Sequence, residues 1–75
     1  MSKLPQISGQ ECVKALQRGG FYVSRQKGSH ITMRRDDPFG KVTVPNHQEI
    51  HKGTLRAIIR DAGLTVDEFL ELLKS

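Results

Sequence analysis

The sequence has few of the residues that small proteins use as covalent cross-links or membrane anchors. It contains one cysteine, no tryptophan, three phenylalanines and one tyrosine. Cys12 alone cannot form an internal disulfide, whereas small secreted domains usually depend on several. No apolar run is long enough to span a bilayer, and the first residues lack the apolar segment of a secretory signal. We therefore expect a cytoplasmic protein with no membrane partner.

Length and charge narrow the class of protein further. A chain of 75 residues is expected to form a single domain over residues 1–75, because so short a chain supports one thin core at most. Its 12 Lys and Arg outnumber its 8 Asp and Glu, which gives a net charge of +4. A basic balance favours a polyanionic partner, with nucleic acid first, although many basic surfaces are only solvated.

The spacing of apolar residues predicts the element order α-β-β-β-α, followed by a short final helix. Ser8 and Glu11 form a capping-box pattern at the start of the first helix, and Gly19-Gly20 end it. Alternating stretches predict strands over residues 21–26, 29–34 and 41–45. Helices are predicted over residues 53–62 and from Thr65 onward, where Thr65 and Glu68 repeat the capping-box pattern. The prediction is an α+β fold, in which helices cover one face of a three-stranded antiparallel sheet.

The two faces of this sheet differ in character. Helix-facing positions are predicted to be apolar: Phe21, Val23, Ile31, Met33, Val42 and Val44. The other face is predicted to be open and polar: Tyr22, Ser24, His30, Thr32, Arg34, Lys41 and Thr43. A polar, basic face that carries one histidine is a plausible surface for nucleic acid.

The first hairpin has a predicted register. A three-residue loop over residues 26–28 pairs Val23 with Ile31, Phe21 with Met33, and Ser24 with His30. Such a loop needs a positive φ at its third position, and a glycine stands there, Gly28. We therefore assign Gly28 a structural role in the turn.

His30 is the candidate for chemistry, although a lone histidine on a strand is more often an ordinary surface residue. Histidine titrates near neutral pH, which suits proton transfer, and Lys27, Arg34 and Lys41 can hold phosphate. One positioned base that takes a ribose 2′-hydroxyl proton contributes about 10²–10⁴-fold to cleavage. Such a reaction needs no cofactor.

The other candidate residues are expected to have structural roles. His47 and His51 are four residues apart, but the intervening glutamate does not fit the metalloprotease pattern and no further ligand completes a metal site. We therefore predict no metal. Cys12, one turn into a helix, is expected to lie in the core.

Three stretches together carry a family resemblance: "GSH" at the opening of the second strand, "VPNH" at the close of the third, and "KGTLRAIIRDAGLTVDEFLELL" at the end. In this order and spacing the chain resembles the HicA family of bacterial toxins, from type II HicBA toxin–antitoxin pairs. The resemblance covers nearly the whole chain. It implies an mRNA interferase with a fold like a double-stranded-RNA-binding domain, a catalytic His30, and a HicB-type antitoxin that blocks it.

The leading expectation is thus a metal-independent endoribonuclease that acts on mRNA and is held in check by the antitoxin. We expect Lys27, Ser29, Arg34 and Lys41 to contact the RNA or its phosphates. The alternative is a non-catalytic RNA-binding module of similar fold, and a third reading is an interaction protein that docks an acidic partner. RNA cleavage in the presence of a chelator separates the first from the other two.

Overall fold

The computed structural model describes residues 3–75, so the first two residues of the predicted domain lie outside it. Residues 3–75 form three helices and one antiparallel sheet of strand order β1-β2-β3. The elements are α1 (Gly9–Arg18), β1 (Tyr22–Lys27), β2 (His30–Asp36), β3 (Phe39–Pro45), α2 (Lys52–Asp61) and α3 (Val66–Lys74). The predicted α+β order, with its extra final helix, is confirmed. None of the helices in residues 3–75 is long and apolar enough to cross a membrane.

Both predicted capping boxes are present. At α1, the Ser8 hydroxyl accepts from the Glu11 N–H at 3.1 Å and the Glu11 carboxylate accepts from the Ser8 N–H at 3.0 Å. Thr65 and Glu68 repeat this exchange at α3, at 3.1 and 2.8 Å. Each cap supplies partners to helix N–H groups that otherwise have none, and is worth about 1 kcal/mol. Local sequence therefore sets where these two helices begin.

The core lies between the helices and the strands β2 and β3. All the apolar residues predicted for these two strands are buried, and Met33 and Val44 are completely so. From the helices, Leu16, Leu55 and Phe69 are also completely buried. These side chains join β2 and β3 to all three helices in one cluster.

Val23 departs from the prediction. It was expected in the core, yet it is 44% exposed. Val23 pairs with Met33, so both side chains lie on the same side of the sheet. However, β1 is an edge strand, and all six of its residues are exposed. The prediction was wrong because the helices cover β2 and β3 and leave the β1 edge of the sheet open.

The register of the first hairpin also differs from the prediction. Val23 pairs with Met33, not with Ile31, and Lys27 rather than Ser24 lies opposite His30. The ladder shifts between Val23 and Arg25, where Ser24 is the extra residue of a β-bulge. Phe21 is buried as predicted but precedes the first strand, so it does not pair with Met33.

Arg35 ties the elements together at the end of the sheet that contains the β2–β3 turn. Its guanidinium donates to the carbonyls of Gly19 at 3.3 Å and Ala62 at 3.1 Å, and its Nε donates to Pro38 at 3.0 Å. The same group lies over the Phe21 ring, 4.6 Å from its centroid. Gly19 and Ala62 are the C-caps of α1 and α2, so one side chain satisfies carbonyls that helix ends leave without partners.

Candidate active site

His30 stands at the start of the central strand. It is the first residue of β2 and is exposed. Its ladder partners are Lys27 on β1 and Pro45 on β3. Paired residues share a face of the sheet, so the Lys27 ammonium and the His30 imidazole project to the same side. The central strand therefore presents a histidine directly beside a cation.

The turn that precedes His30 consists of Gly28 and Ser29. Gly28 has a φ of +59°, as predicted, and a Cβ added there would have no atom within 4 Å. A glycine with positive φ at the first of two turn residues fits a type II′ hairpin turn, whose twist matches that of the strands. The positive φ was predicted correctly, but the turn has two residues rather than three. Glycine is needed here for its backbone conformation and not for lack of space.

The turn is fastened to the rest of the fold. The Asn46 N–H donates to the Ser29 carbonyl at 2.6 Å, and the Gln10 amide donates to the Asn46 side chain at 3.0 Å. The Gly9 N–H donates to the His47 carbonyl at 2.8 Å. This end of the sheet is therefore joined to the first turn of α1.

The uncovered side of the sheet is here called the open sheet face. Its residues follow from the ladder, since His30, Thr32, Arg34 and Asp36 alternate along β2 away from the core. Their partners complete it on the outer strands: Tyr22, Arg25, Lys27, Phe39, Lys41, Thr43 and Pro45. Ser24, predicted on this face, occupies the bulge instead.

The four residues predicted to bind RNA are distributed over two places. Lys27 and Ser29 adjoin His30, and both are exposed. Arg34 and Lys41 lie opposite each other, about 13 Å from His30 at the usual rise of a strand. The structure therefore brings Lys27, Arg34 and Lys41 to one face of the sheet, with Ser29 in the turn at its end, without gathering the four residues around one point.

Several residues of the open sheet face were not predicted as site residues, among them one cation and two aromatic residues. Arg25 lies opposite Thr32 because the bulge moves it onto this face. Phe39 lies outside the predicted strands, yet it is the first residue of β3 and is 67% exposed. Tyr22 was placed on the face but given no role. An exposed aromatic residue beside a proline is an ambiguous signal in sequence alone.

These aromatic side chains meet charged partners at the end of the face remote from His30. The Tyr22 hydroxyl donates to the Asp36 carboxylate at 3.0 Å, and this hydrogen bond raises the pKa of Tyr22. The Arg34 guanidinium lies 5.5 Å from the centroid of the Phe39 ring. The Nε of Arg34 is shielded from solvent and has no hydrogen-bond partner among the described residues.

Other candidate groups do not assemble a site. Cys12 is completely buried, and burial raises the pKa of its thiol to about 12, so it is a core residue rather than a nucleophile. Within residues 3–75, no group of three His, Cys, Asp or Glu is placed to hold a metal ion. His47 and His51 are exposed at either end of the loop before α2.

The order of elements and the histidine-bearing open face characterise a small α+β protein, and comparison with known families supplies its class. The family model described as HicA toxin of bacterial toxin-antitoxin matches residues 9–64. That stretch runs from the start of α1 past α2 and contains the whole open sheet face. The class is therefore the toxin component of a toxin–antitoxin pair.

The chain belongs to the HicA toxin family. The resemblance in sequence is thus confirmed, and membership implies an antitoxin as the kind of partner. A comparison with curated proteins found no match.

Proposed function

We propose that this protein is an endoribonuclease that cleaves mRNA with His30 as its catalytic residue. The observation that carries the proposal is the position of His30, exposed at the start of β2 with Lys27 directly opposite. The Gly28-Ser29 turn and its bond from Asn46 hold that position. A base held on a basic face, open to a long substrate, is what strand cleavage requires.

The proposed reaction needs few parts. The His30 imidazole takes the proton of a ribose 2′-hydroxyl, and that oxygen attacks the adjacent phosphorus. The bond from phosphorus to the 5′-oxygen breaks, and the departing oxygen takes a proton from the imidazolium or from water. The products are a 2′,3′-cyclic phosphate and a 5′-hydroxyl end. Lys27, the ladder partner of His30, stabilises the charge that develops on the phosphoryl oxygens in this proposal.

The substrate is bound by cations along the open sheet face. Lys27 and Ser29 serve the phosphate that is cleaved, because they adjoin His30. Arg34 and Lys41, about 13 Å away along the strand, serve other phosphates of the same chain. Most affinity for nucleic acid comes from such contacts, so binding is expected to weaken as salt rises. His30 and these cations provide the base and the positive charges that the proposed reaction requires, so it needs no metal ion.

The antitoxin partner is proposed to be of the HicB type and to act by covering the open sheet face. Lys27, His30 and Lys41 are exposed there, and a partner must neutralise the two lysines and cover the histidine to exclude RNA. We therefore expect acidic side chains or backbone carbonyls of the antitoxin to meet this face.

A cleavage assay on the purified protein tests the proposal. Wild-type protein is expected to cut single-stranded RNA in EDTA, and the folded His30→Ala variant is expected not to. His51→Ala is the matched control, since it removes an exposed histidine outside the open sheet face. Wild-type cleavage by His30→Ala would overturn the catalytic assignment. Loss of activity in EDTA, restored by added metal, would overturn metal independence, and RNA binding without cleavage would indicate a non-catalytic module.

A further inference from the structure

Large apolar side chains are scarce on the surface of this protein, and two of them share one end of the open sheet face. The exposed large apolar residues of the described chain are Tyr22, Val23 and Phe39. Tyr22 and Phe39 belong to the open sheet face, whereas Val23 pairs with Met33 on the opposite side. Two aromatic rings are thus exposed on the same face as His30, at its far end.

Phe39 is the more exposed of the two aromatic residues, at 67%. It lies opposite Asp36, six residues along β2 from His30, which corresponds to about 20 Å. The Arg34 guanidinium lies over the ring, 5.5 Å from its centroid, while most of the ring remains exposed. A planar ring flanked by a planar cation is a surface on which an unpaired nucleobase can stack.

The charges between His30 and Phe39 favour RNA as the ligand. Arg25, Lys27, Arg34 and Lys41 all lie on the open sheet face. The one acidic residue on this face, Asp36, accepts a hydrogen bond from the Tyr22 hydroxyl. A row of cations that ends at an aromatic ring combines the two features by which proteins hold single strands, namely phosphate contacts and base stacking.

We propose that Phe39, supported by Arg34, is a stacking site for an unpaired base of the RNA, distant from the bond that His30 cleaves. Stacking needs a base that is not enclosed in a duplex, so the site selects single-stranded RNA. This inference rests on the proposed function in taking RNA as the ligand. It adds a second point of attachment, which sets where the chain lies relative to His30.

The test measures RNA binding separately from cleavage. His30→Ala protein is titrated into a short fluorescein-labelled single-stranded RNA, and affinity is read by fluorescence anisotropy. Adding Phe39→Ala is expected to weaken binding about 5- to 150-fold. Phe39→Trp is expected to restore binding and Phe39→Leu is not, because stacking needs a ring. Val23→Ala, which truncates the exposed apolar residue on the other side, is expected to leave affinity unchanged.

Two further readouts distinguish stacking from other effects. Phe39→Ala removes no charge, so the dependence of affinity on salt is expected to stay the same, whereas Lys41→Ala reduces its slope by about 1. A second RNA lacks the base at the stacked position. The protein that retains Phe39 is expected to bind this abasic RNA less tightly than the intact RNA. The Phe39→Ala variant is expected to bind both RNAs equally well. A duplex of the same sequence is expected to show no dependence on Phe39.

The outcomes separate this inference from the proposed function. Suppose that wild-type protein cleaves RNA, and that adding Phe39→Ala to the His30→Ala protein does not weaken RNA binding. The stacking site is then wrong, and the proposed nuclease activity is supported. If RNA binding requires Phe39 but the wild-type protein does not cleave RNA, the proposed nuclease activity is wrong and the stacking site is supported. Failure of the parent to bind RNA overturns both. If Phe39→Ala weakens antitoxin binding alone, the ring belongs to a protein interface and the inference is overturned.

Discussion

The Asn46 N–H donates a hydrogen bond of 2.6 Å to the carbonyl oxygen of Ser29. This bond joins the segment after β3 to the turn before β2, one residue from the proposed catalytic His30. Asn46 is held in turn by the Gln10 side chain on α1. The position of His30 therefore depends on how closely α1 approaches the end of β3.

Gly9 permits that approach, and Gly9→Ala is expected to disrupt it. A Cβ at this position would overlap the Pro45 carbonyl oxygen and lie 2.8 Å from the Asn46 Cα, both of which are backbone atoms. We expect a loss of about 1–3 kcal/mol in the free energy of unfolding, measured by urea denaturation, because overpacking forces the backbone apart. RNA cleavage should fall as well, since Pro45 is a ladder partner of His30.

Gln10→Ala provides the comparison for this prediction. It removes one exposed side-chain bond to Asn46 and creates no overlap, so its cost is expected to be about 1 kcal/mol or less. A Gly9→Ala protein as stable and as active as Gln10→Ala would show that close approach of α1 does not position the turn.

Gly28 and Gly53 form a matched pair for testing the turn. A Cβ added at either residue meets nothing within 4 Å, but only Gly28 has a positive φ. Gly28→Ala is expected to cost about 1–2 kcal/mol, because an L-residue is strained in the left-handed region. Gly53→Ala, inside α2, is expected to be neutral or to stabilise by up to about 1 kcal/mol. Thermal unfolding of the two variants measures the difference, and equal stabilities would contradict the assigned turn.

Arg35 is expected to be the most important charged residue for stability. Arg35→Ala leaves the part-buried carbonyls of Gly19 and Ala62 without their donor, at a cost of about 2 kcal/mol or more. Arg35→Lys should recover only part of this, because an ammonium cannot reproduce the planar fork. Arg56→Ala, which truncates an exposed arginine on α2, should change stability by no more than about 0.5 kcal/mol. Equal denaturation midpoints for Arg56→Ala and Arg35→Ala would show that the hydrogen bonds of Arg35 to the two helix ends do not stabilise the fold.

Association with the antitoxin is expected to be fast at low salt and slower as salt rises, since opposite charges steer the partners together. Lys41→Glu should lower the association rate measured by stopped flow. Lys14→Glu makes the same change of net charge on α1, outside the open sheet face, and should have a smaller effect. A structure of the complex in which His30 stays open to solvent would disprove inhibition by occlusion.

Cys12 is expected to make stability depend on pH in the alkaline range. Burial raises the pKa of its thiol from the ordinary value of 9.0 to about 12. Above pH 9.0 the unfolded chain releases this proton while the folded chain keeps it, so stability is complete below 9.0 and falls as the pH rises toward 12. The expected loss is about 1.4 kcal/mol for each pH unit.

Urea denaturation on both sides of pH 9.0 measures this loss, with Cys12→Ala as the reference. The variant is less stable throughout because it leaves a cavity, but its stability should change less across this range. Identical pH dependence in the two proteins would show that the thiol ionises as easily in the folded state as in the unfolded state.

The features predicted correctly from sequence are those determined by near neighbours in the chain. Ser8 with Glu11, and Thr65 with Glu68, are three residues apart and interact within one helical turn. Alternation within β2 identified Ile31 and Met33 as core residues, because a central strand is covered along its length. The positive φ of Gly28 is likewise a property of one residue.

The features that were missed depend on the assembled sheet. The bulge at Ser24 changed the partners of His30 and brought Arg25 onto the open sheet face, and no local pattern marks it. Val23 is exposed because the helices pack on β2 and β3 and leave β1 uncovered. Arg35 adjoins Arg34 in the sequence and differs from it only in the side of β2 on which it lies, yet it joins two helix ends while its neighbour stands on the open sheet face.

The bulge at Ser24 also affects how the molecule behaves at high concentration. β1 is an outer strand, and outer strands expose N–H and C=O groups that can pair with another chain and begin aggregation. An extra residue interrupts the regular spacing of those groups and increases the local twist, and Arg25 and Lys27 add like charges along the same strand. The irregularity that places a cation on the open sheet face therefore also makes the β1 edge a poor template for pairing with another copy of the chain.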